Sequence, residues 1–146
     1  MPTIQEFWKD LKSVLSLARL AVNERLSQLD LASAAGDVIF HLTGEEFGLT
    51  QEELCERLNI GKAAISRTVD SLVLKGFVQR MKHPRDARAY LVSLTKKGLG
   101  ISTRVSEAYD NVFQVIQRDI SREELLNVSL LLNRIQNNLV IDREME

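Results

Sequence analysis

The stretch that decides the fold of this chain is residues 49–98, LTQEELCERLNIGKAAISRTVDSLVLKGFVQRMKHPRDARAYLVSLTKKG. Within it Thr50 and Glu53 stand three residues apart, the spacing of a capping box, in which each side chain accepts a hydrogen bond from the other residue's backbone N–H. A helix is therefore predicted to begin directly after the threonine. Asn59 and Gly61 tolerate turn geometry, so this helix is predicted to be short and to end in a tight turn.

A second helix is predicted over residues 62–75, because apolar side chains recur at helical spacing and Gly76 follows as a C-terminal glycine. Its predicted buried side consists of Ile65, Val69, Leu72 and Val73. Its other face carries Lys62, Ala63, Ser66, Arg67 and Asp70. A helix of this size fits the major groove of B-DNA, where each base pair presents a distinct pattern of donors and acceptors. Lys62, Ser66 and Arg67 are the side chains expected to read it.

Two short runs of β-forming residues follow at 77–82 and 89–94, which predicts a hairpin. The segment between them consists of His83, Pro84, Arg85, Asp86, Ala87 and Arg88. Two helices followed by a hairpin with a basic tip is the order of elements in a winged helix-turn-helix, so DNA binding is the first hypothesis.

Charge is distributed unevenly along the chain. The formal net charge is −1, with 19 Lys and Arg against 20 Asp and Glu. Residues 50–98 carry ten Lys and Arg against five Asp and Glu, so a basic module sits within an acidic remainder. Cations on elements that face a duplex neutralise phosphates and supply affinity that does not depend on base sequence. The cations expected in that role are Lys62, Arg67, Lys82, Arg85 and Arg88.

The run LTQEELCERLNIGKAAISRTVDSLVLKGFVQR, followed by the DAR segment of the wing and by VSLTKKG, resembles the MarR family of bacterial and archaeal transcription regulators. The resemblance implies a sequence-specific regulator that binds a near-palindromic operator in double-stranded DNA, acts as a repressor, and is modulated by a small amphipathic ligand. It also implies that Arg88 enters the minor groove while Asp86 orients it. Gly61 and Ala63 depart from the pattern, because relatives often carry Ser or Thr there, and this removes hydroxyl contacts with the operator.

Outside the winged stretch the sequence predicts helices, so the expected fold class is mainly α with a small β-wing. Capping boxes beginning at Thr3 and Ser121 predict a first helix through about residue 29 and a last helix to about residue 139. The spacing of apolar residues predicts two more helices, one over residues 34–42 and one capped by Thr95 that reaches about residue 118.

A length of 146 residues with 45% hydrophobic content is enough for one buried core and too short for a separate catalytic domain. We expect a single domain, 1–146. A winged helix lobe is expected at 31–98, flanked by dimerisation helices at 1–30 and 99–146.

The last predicted helix is apolar over a wide arc, and such a helix needs covering on most sides. A partner chain is the simplest cover, and the resemblance implies a homodimer joined through the N- and C-terminal helices. The expected contact residues are Phe7, Trp8, Leu11, Leu132, Ile135 and Leu139. For part of this set the alternative of a core within one chain stays open. A two-fold dimer would place its recognition helices ~34 Å apart, one turn of DNA.

Several other classes of protein are disfavoured. The N-terminus lacks the pattern of a signal peptide and no apolar run approaches membrane-spanning length, so a cytoplasmic location without a membrane partner is expected. The single cysteine, Cys55, cannot form an internal disulfide. Its position on an apolar helix face predicts a structural side chain rather than a redox sensor.

The sequence also lacks a glycine-rich phosphate loop, a paired catalytic nucleophile and histidine, and metal-ligand spacing, so no catalytic residue, cofactor or metal site is expected. His41 is interpreted as a helix-end residue and His83 as a wing or phosphate contact. The aromatic residues that could line an apolar ligand pocket are Phe40, Phe47 and Phe113, although aromatic residues in helices more often belong to the core. The alternative function is a winged helix module that binds proteins and not DNA, although the positive charge of Arg67 and Arg88 favours DNA.

Overall fold

The computed structural model describes residues 1–145 of the chain. Their helices are α1 Ile4–Ser27, α2 Ser33–Leu42, α3 Gln51–Leu58, α4 Lys62–Leu74, α5 Lys96–Ile116 and α6 Arg122–Glu144. Their strands are β1 Leu49–Thr50, β2 Val78–Lys82 and β3 Tyr90–Leu94, which form one antiparallel sheet in the order β1–β3–β2. The predicted fold class, mainly α with a small β-wing, is confirmed.

The helix starts follow from local capping. All three predicted capping boxes are present, at the beginnings of α1, α3 and α6. Thr95 caps α5, since its Oγ1 accepts a hydrogen bond of 3.1 Å from the Gly98 N–H. At the end of α4, Gly76 adopts a φ of +82°, and the N–H groups of Gly76 and Phe77 donate to the carbonyls of Val73 and Leu72. These two hydrogen bonds satisfy carbonyl groups that the helix itself leaves unpaired.

Two expectations about these elements were wrong, and one short strand was not expected. The last helix continues to Glu144 instead of ending near residue 139. Val73, predicted to be buried, is 38% exposed, because it lies one position beyond the Ile65, Val69 and Leu72 stripe and so points to another side of α4. The strand β1 was not predicted, since a strand of two residues carries no periodicity and exists only through its pairing with β3.

The chain divides into two compact units, Met1–Val112 and Phe113–Glu146. The hydrophobic core lies in the first unit, where α1 to α5 and the sheet all contribute to it. Its largest fully buried side chains are Leu26, Ile39, Leu42, Leu54, Ile65 and Leu72. The second unit contains α6, in which none of the residues Arg122–Glu144 is buried.

A buried polar cluster joins three helices of the first unit. Asp37 of α2 is only 6% exposed, and its Oδ1 accepts hydrogen bonds from Arg19 of α1, at 3.0 Å, and from the Tyr109 hydroxyl of α5. The hydrogen bond to Asp37 raises the pKa of Arg19. Burial, followed by the bond to Asp37, raises the pKa of Tyr109 far above its usual range. The carboxylate is therefore compensated by one cation and one neutral donor, as a buried charge requires.

Four residues of the first unit that the sequence singled out, Phe40, His41, Phe47 and Cys55, lie in different surroundings. Phe40 stacks on the ring of Tyr109, with centroids 4.2 Å apart, and meets His41 edge-on. Burial lowers the pKa of His41. Cys55 is half-buried, and Phe47 is 77% exposed in the loop before β1. None of the helices formed by residues 1–145 has the length and apolar character needed to cross a bilayer.

Candidate nucleic-acid interface

The helix α4 presents the face that the sequence assigned to DNA. Lys62, Ala63 and Arg67 are exposed, and Ser66 is half-buried. Gly61 precedes them as the N-cap residue, and a Cβ built on it would meet nothing within 4 Å. The first turn of α4 is therefore open on the side from which a duplex would approach.

The wing is a regular hairpin whose tip is held by its own backbone. β2 and β3 pair from Val78 with Leu94 to Lys82 with Tyr90. At the tip, the His83 N–H donates to the Ala89 carbonyl at 3.0 Å, and the Ala89 N–H donates to the Asp86 carbonyl at 3.2 Å. These bonds fix the short segment that carries Arg85 and Arg88.

The Asp86 side chain binds the backbone of Arg88. Its Oδ1 accepts a hydrogen bond of 3.0 Å from the Arg88 N–H, which fixes the conformation of the two intervening peptide units. His83 makes a similar local contact, because its Nδ1 accepts from the Arg85 N–H at 3.0 Å. An accepting Nδ1 places the proton of the neutral imidazole on Nε2. The Arg88 guanidinium itself makes no hydrogen bond or ion pair within residues 1–145.

Arg80 is a residue of this site that the sequence analysis missed. Its Nη2 donates to Asp70 of α4 at 2.7 Å and to Gln51 of α3 at 2.8 Å, and its Nε also donates to Gln51, at 3.1 Å. One guanidinium therefore ties β2 to both helices of the helix-turn-helix. The alternation of side chains along β2 could have predicted this role. It places Arg80 on the same side of the hairpin as the buried Val78, and therefore on the side that faces the helices.

The remaining cations of the site are available to an anion. Residues 1–145 contain three ion pairs, Arg19–Asp37, Arg57–Glu45 and Arg80–Asp70. The five predicted phosphate-binding cations take part in none of them, and all five are exposed: Lys62, Arg67, Lys82, Arg85 and Arg88. Arg88 and Arg67 have different surroundings. Arg88 lines a groove of about 530 Å³ between the wing and the start of α3. Arg67 lies beside Lys75 and the first turn of α2.

The expected dimerisation residues lie on two helices in different units. On α1, Phe7 and Leu11 are half-buried and Trp8 is 63% exposed. On α6, Ile135 is half-buried, whereas Leu132 and Leu139 are exposed. Within residues 1–145 there is no group of three or more His, Cys, Asp or Glu side chains placed to hold a metal ion.

A capped helix, a tight turn, an exposed second helix and a hairpin with a cationic tip define a winged helix-turn-helix protein. Comparison with known proteins gives the same class. A model of the MarR family matches residues 29–89. The multiple antibiotic resistance protein MarR of Escherichia coli (strain K12) is 30% identical over 115 residues, covering 78% of this chain and 79% of the relative. Its counterpart from Salmonella typhimurium is 27% identical with the same coverage.

Solved structures agree over most of the chain. A Cys-to-Ser variant of MarR from E. coli complexed with operator DNA is 27% identical and covers 90% of this chain and 94% of its own, with a TM-score of 0.76. The transcriptional regulator PA3341 is 27% identical and covers 91% of this chain and 97% of its own, with a TM-score of 0.83. The chain belongs to the MarR family of transcription regulators, which confirms the resemblance seen in the sequence.

Proposed function

We propose that this protein is a sequence-specific repressor that binds, as a homodimer, to a near-palindromic operator in double-stranded DNA. The observation that carries the proposal is a set of exposed cations on α4 and the wing that form no ion pair within residues 1–145. Arg80 holds these two elements in a fixed relation. The E. coli relative complexed with operator DNA supports it. We further propose a cytoplasmic location, modulation by a small amphipathic ligand, and no enzymatic activity.

The proposed mode of binding follows from the two elements. The first turns of α4 enter the major groove, where Lys62, Ala63 and Ser66 face the base edges. Arg88 enters the adjoining minor groove from the wing tip that Asp86 shapes. Lys82, His83 and Arg85 contact the flanking phosphates. Residues 31–98 then form the DNA-binding lobe of a single domain, and residues 1–30 and 99–146 supply the dimer contacts.

Arg67 is proposed to bind phosphate rather than a guanine edge. It lines a groove together with Thr68, Ser71 and Lys75, beside Ala34 in the first turn of α2. No side chain caps that turn, so its first N–H groups are open to an acceptor. Two cations, two hydroxyls and free N–H groups are suited to the oxygens of a phosphate.

The experiment that tests both proposals compares selected and random DNA at several salt concentrations. Fragments bound by the protein are selected from the source genome, and affinity is measured by fluorescence anisotropy. We expect the selected fragment to bind at least about 10³-fold more tightly than random DNA. Arg67→Ala should weaken binding to both DNAs alike and reduce the salt slope by about one for each protomer, because one phosphate contact is lost.

Arg104→Gln is the control, since this exposed residue of α5 is not among the residues proposed to contact DNA or the partner chain. A loss of discrimination at one base pair with an unchanged salt slope would show that Arg67 reads a base. Absence of any salt-dependent binding would contradict the DNA-binding function and would leave the protein-interaction module as the better explanation.

The homodimer proposal rests on the apolar surface of α6. Its exposed apolar side chains include Leu125, Leu126, Val128, Leu130, Leu131 and Leu139. A helix with so much exposed apolar surface is stable in water only when another surface covers it. We propose that Phe7, Trp8, Leu11, Leu132, Ile135 and Leu139 lie in the contact between the two chains.

We expect sedimentation at micromolar concentration to give twice the 16.5 kDa of one chain. Leu139→Glu should weaken the dimer at least about tenfold, because it buries a charge in an apolar contact. Asn137→Glu is the matched control, since it lies on the opposite side of α6 from the proposed contact residues. A wild-type monomer under these conditions, or equal effects of the two substitutions, would contradict the proposal.

A further inference from the structure

A groove on the outer side of the wing hairpin contains none of the residues named above for the DNA interface or for the dimer contact. It has a volume of about 510 Å³, within the range of small-molecule sites. Its apolar lining is Leu42, Met81, Leu94 and Leu99, and its acidic lining is Glu45 and Glu46. Met81 and Leu99 are 55% and 59% exposed, so large apolar surfaces are open to solvent in one concave place.

The hairpin separates this groove from the cationic side of the wing. Successive residues of a strand point to opposite faces, so Met81 points away from the side on which its neighbour Arg80 contacts Asp70 and Gln51. Gln79, two residues earlier on β2, also lines the groove. A molecule bound there would contact the strands that carry the wing tip without meeting the proposed DNA-binding residues.

The charged lining of the outer groove is acidic only, which distinguishes it from the two other grooves of the winged lobe. The groove beside the wing tip has charges of both signs, Arg80 and Arg88 with Glu52 and Asp86, and the groove beside α2 contains Arg67 and Lys75. Among the residues that the structure describes, no Lys, Arg or His lines the outer groove.

The two carboxylates of the groove differ in their partners. Glu45 is paired with Arg57, whose Nη1 lies 2.9 Å from its Oε1. Glu46 is exposed, and no ion pair or hydrogen bond engages its carboxylate within residues 1–145. An unpaired carboxylate at the rim of an apolar groove is complementary to a molecule with an apolar body and one positive charge.

We propose that this groove is a binding site for a small amphipathic cation of the arylalkyl ammonium type. The apolar part of the ligand packs against Met81, Leu94 and Leu99, and its ammonium group lies at Glu46. The size of the groove matches a small molecule, and its negative charge opposes nucleic acid. The proposal does not depend on operator binding, since the site is complete in one DNA-free chain.

The chain offers a direct probe of the site. Its three methionines are Met1, Met81 and Met145, so a ¹³C-methyl methionine spectrum contains one signal from the winged lobe. We propose to titrate the full-length, DNA-free protein with 2-phenylethylammonium, 2-phenylethanol and 3-phenylpropionate, which share a phenyl group and differ in charge. The Met81 signal, assigned with Met81→Leu, should shift saturably with the cation.

The expected order of affinity is cation, then alcohol, then anion. The cation should bind about two- to fivefold more tightly than the alcohol, the gain that one exposed ion pair provides. Glu46→Gln should remove this preference and leave binding of the alcohol unchanged. Leu99→Lys should suppress the shift with the cation, since it places a like charge at the rim.

Glu56→Gln is the matched control, because Glu56 is exposed on α3 and lies outside the groove. It should leave all three titrations at their wild-type values. Equal affinities for the cation and the alcohol in the wild-type protein, no Met81 shift with millimolar cation, or a preference for the cation that survives Glu46→Gln would each overturn the proposal. Because DNA is absent, failure here leaves the repressor function untouched.

Discussion

Replacing Gly98 with alanine is expected to lower the free energy of unfolding by about 3 kcal/mol, at the upper end of the cost of overpacking a core. Gly98 is buried in the first turn of α5, where a Cβ would lie under 3.0 Å from the Phe77 carbonyl oxygen. That oxygen has little room to move, because it accepts a 3.0 Å hydrogen bond from the Thr95 N–H. Thr95 in turn caps Gly98 itself and donates to the Gly76 carbonyl.

Gly100 supplies the matched control two residues further along the same helix. It is exposed, and a Cβ built on it would meet nothing within 4 Å. Gly100→Ala should therefore raise the free energy of unfolding by about 0.5–1 kcal/mol, the gain in helix propensity of alanine over glycine. Urea titrations at one fixed protein concentration measure both changes, since dimer stability depends on concentration. Equal effects of the two substitutions would show that the backbone approach at Gly98 is not tight.

Replacing Arg88 with alanine is expected to weaken binding to the selected operator by about 1–3 kcal/mol, or about 5- to 150-fold. The guanidinium lies at the wing tip without a partner among residues 1–145, and a narrow minor groove has a strongly negative potential. Arg88→Lys should recover only part of the loss, because it restores the charge without the planar guanidinium. Anisotropy titrations on the selected fragment measure the change, and circular dichroism checks the fold.

The role of Asp86 is tested by two substitutions at the same position. Asp86→Ala removes the acceptor of the Arg88 N–H and should weaken binding less than Arg88→Ala does. Asp86→Asn keeps an oxygen acceptor at that place and should bind more tightly than Asp86→Ala. Wild-type affinity of a folded Arg88→Ala variant would refute the minor-groove role. Equal behaviour of the two Asp86 variants would refute the positioning of Arg88 through its backbone.

The sequence by itself determined the helix starts, the turn and the hairpin of this protein. The capping pair Thr50 and Glu53, or the glycine stop at Gly76, acts over three to five residues, so its outcome is the same in almost any tertiary setting. The exposed cations on α4 and the wing could be predicted because the motif gives their positions. A side chain that is exposed to solvent does not depend on a contact with a distant part of the chain. The sequence predicts the ends of helices less accurately than their starts. The helix α6 continues past its predicted end because no glycine or proline stops it.

Only the tertiary structure decided the features that join distant parts of the chain. The strand β1 exists through its pairing with β3, some forty residues later in the sequence, and the Arg80 bonds to Asp70 and Gln51 span 10 and 29 residues. The approach of Gly98 to the Phe77 carbonyl depends on how α5 meets the end of α4. Such contacts form because packing of the core brings these backbones together, and no spacing within one element encodes that distance.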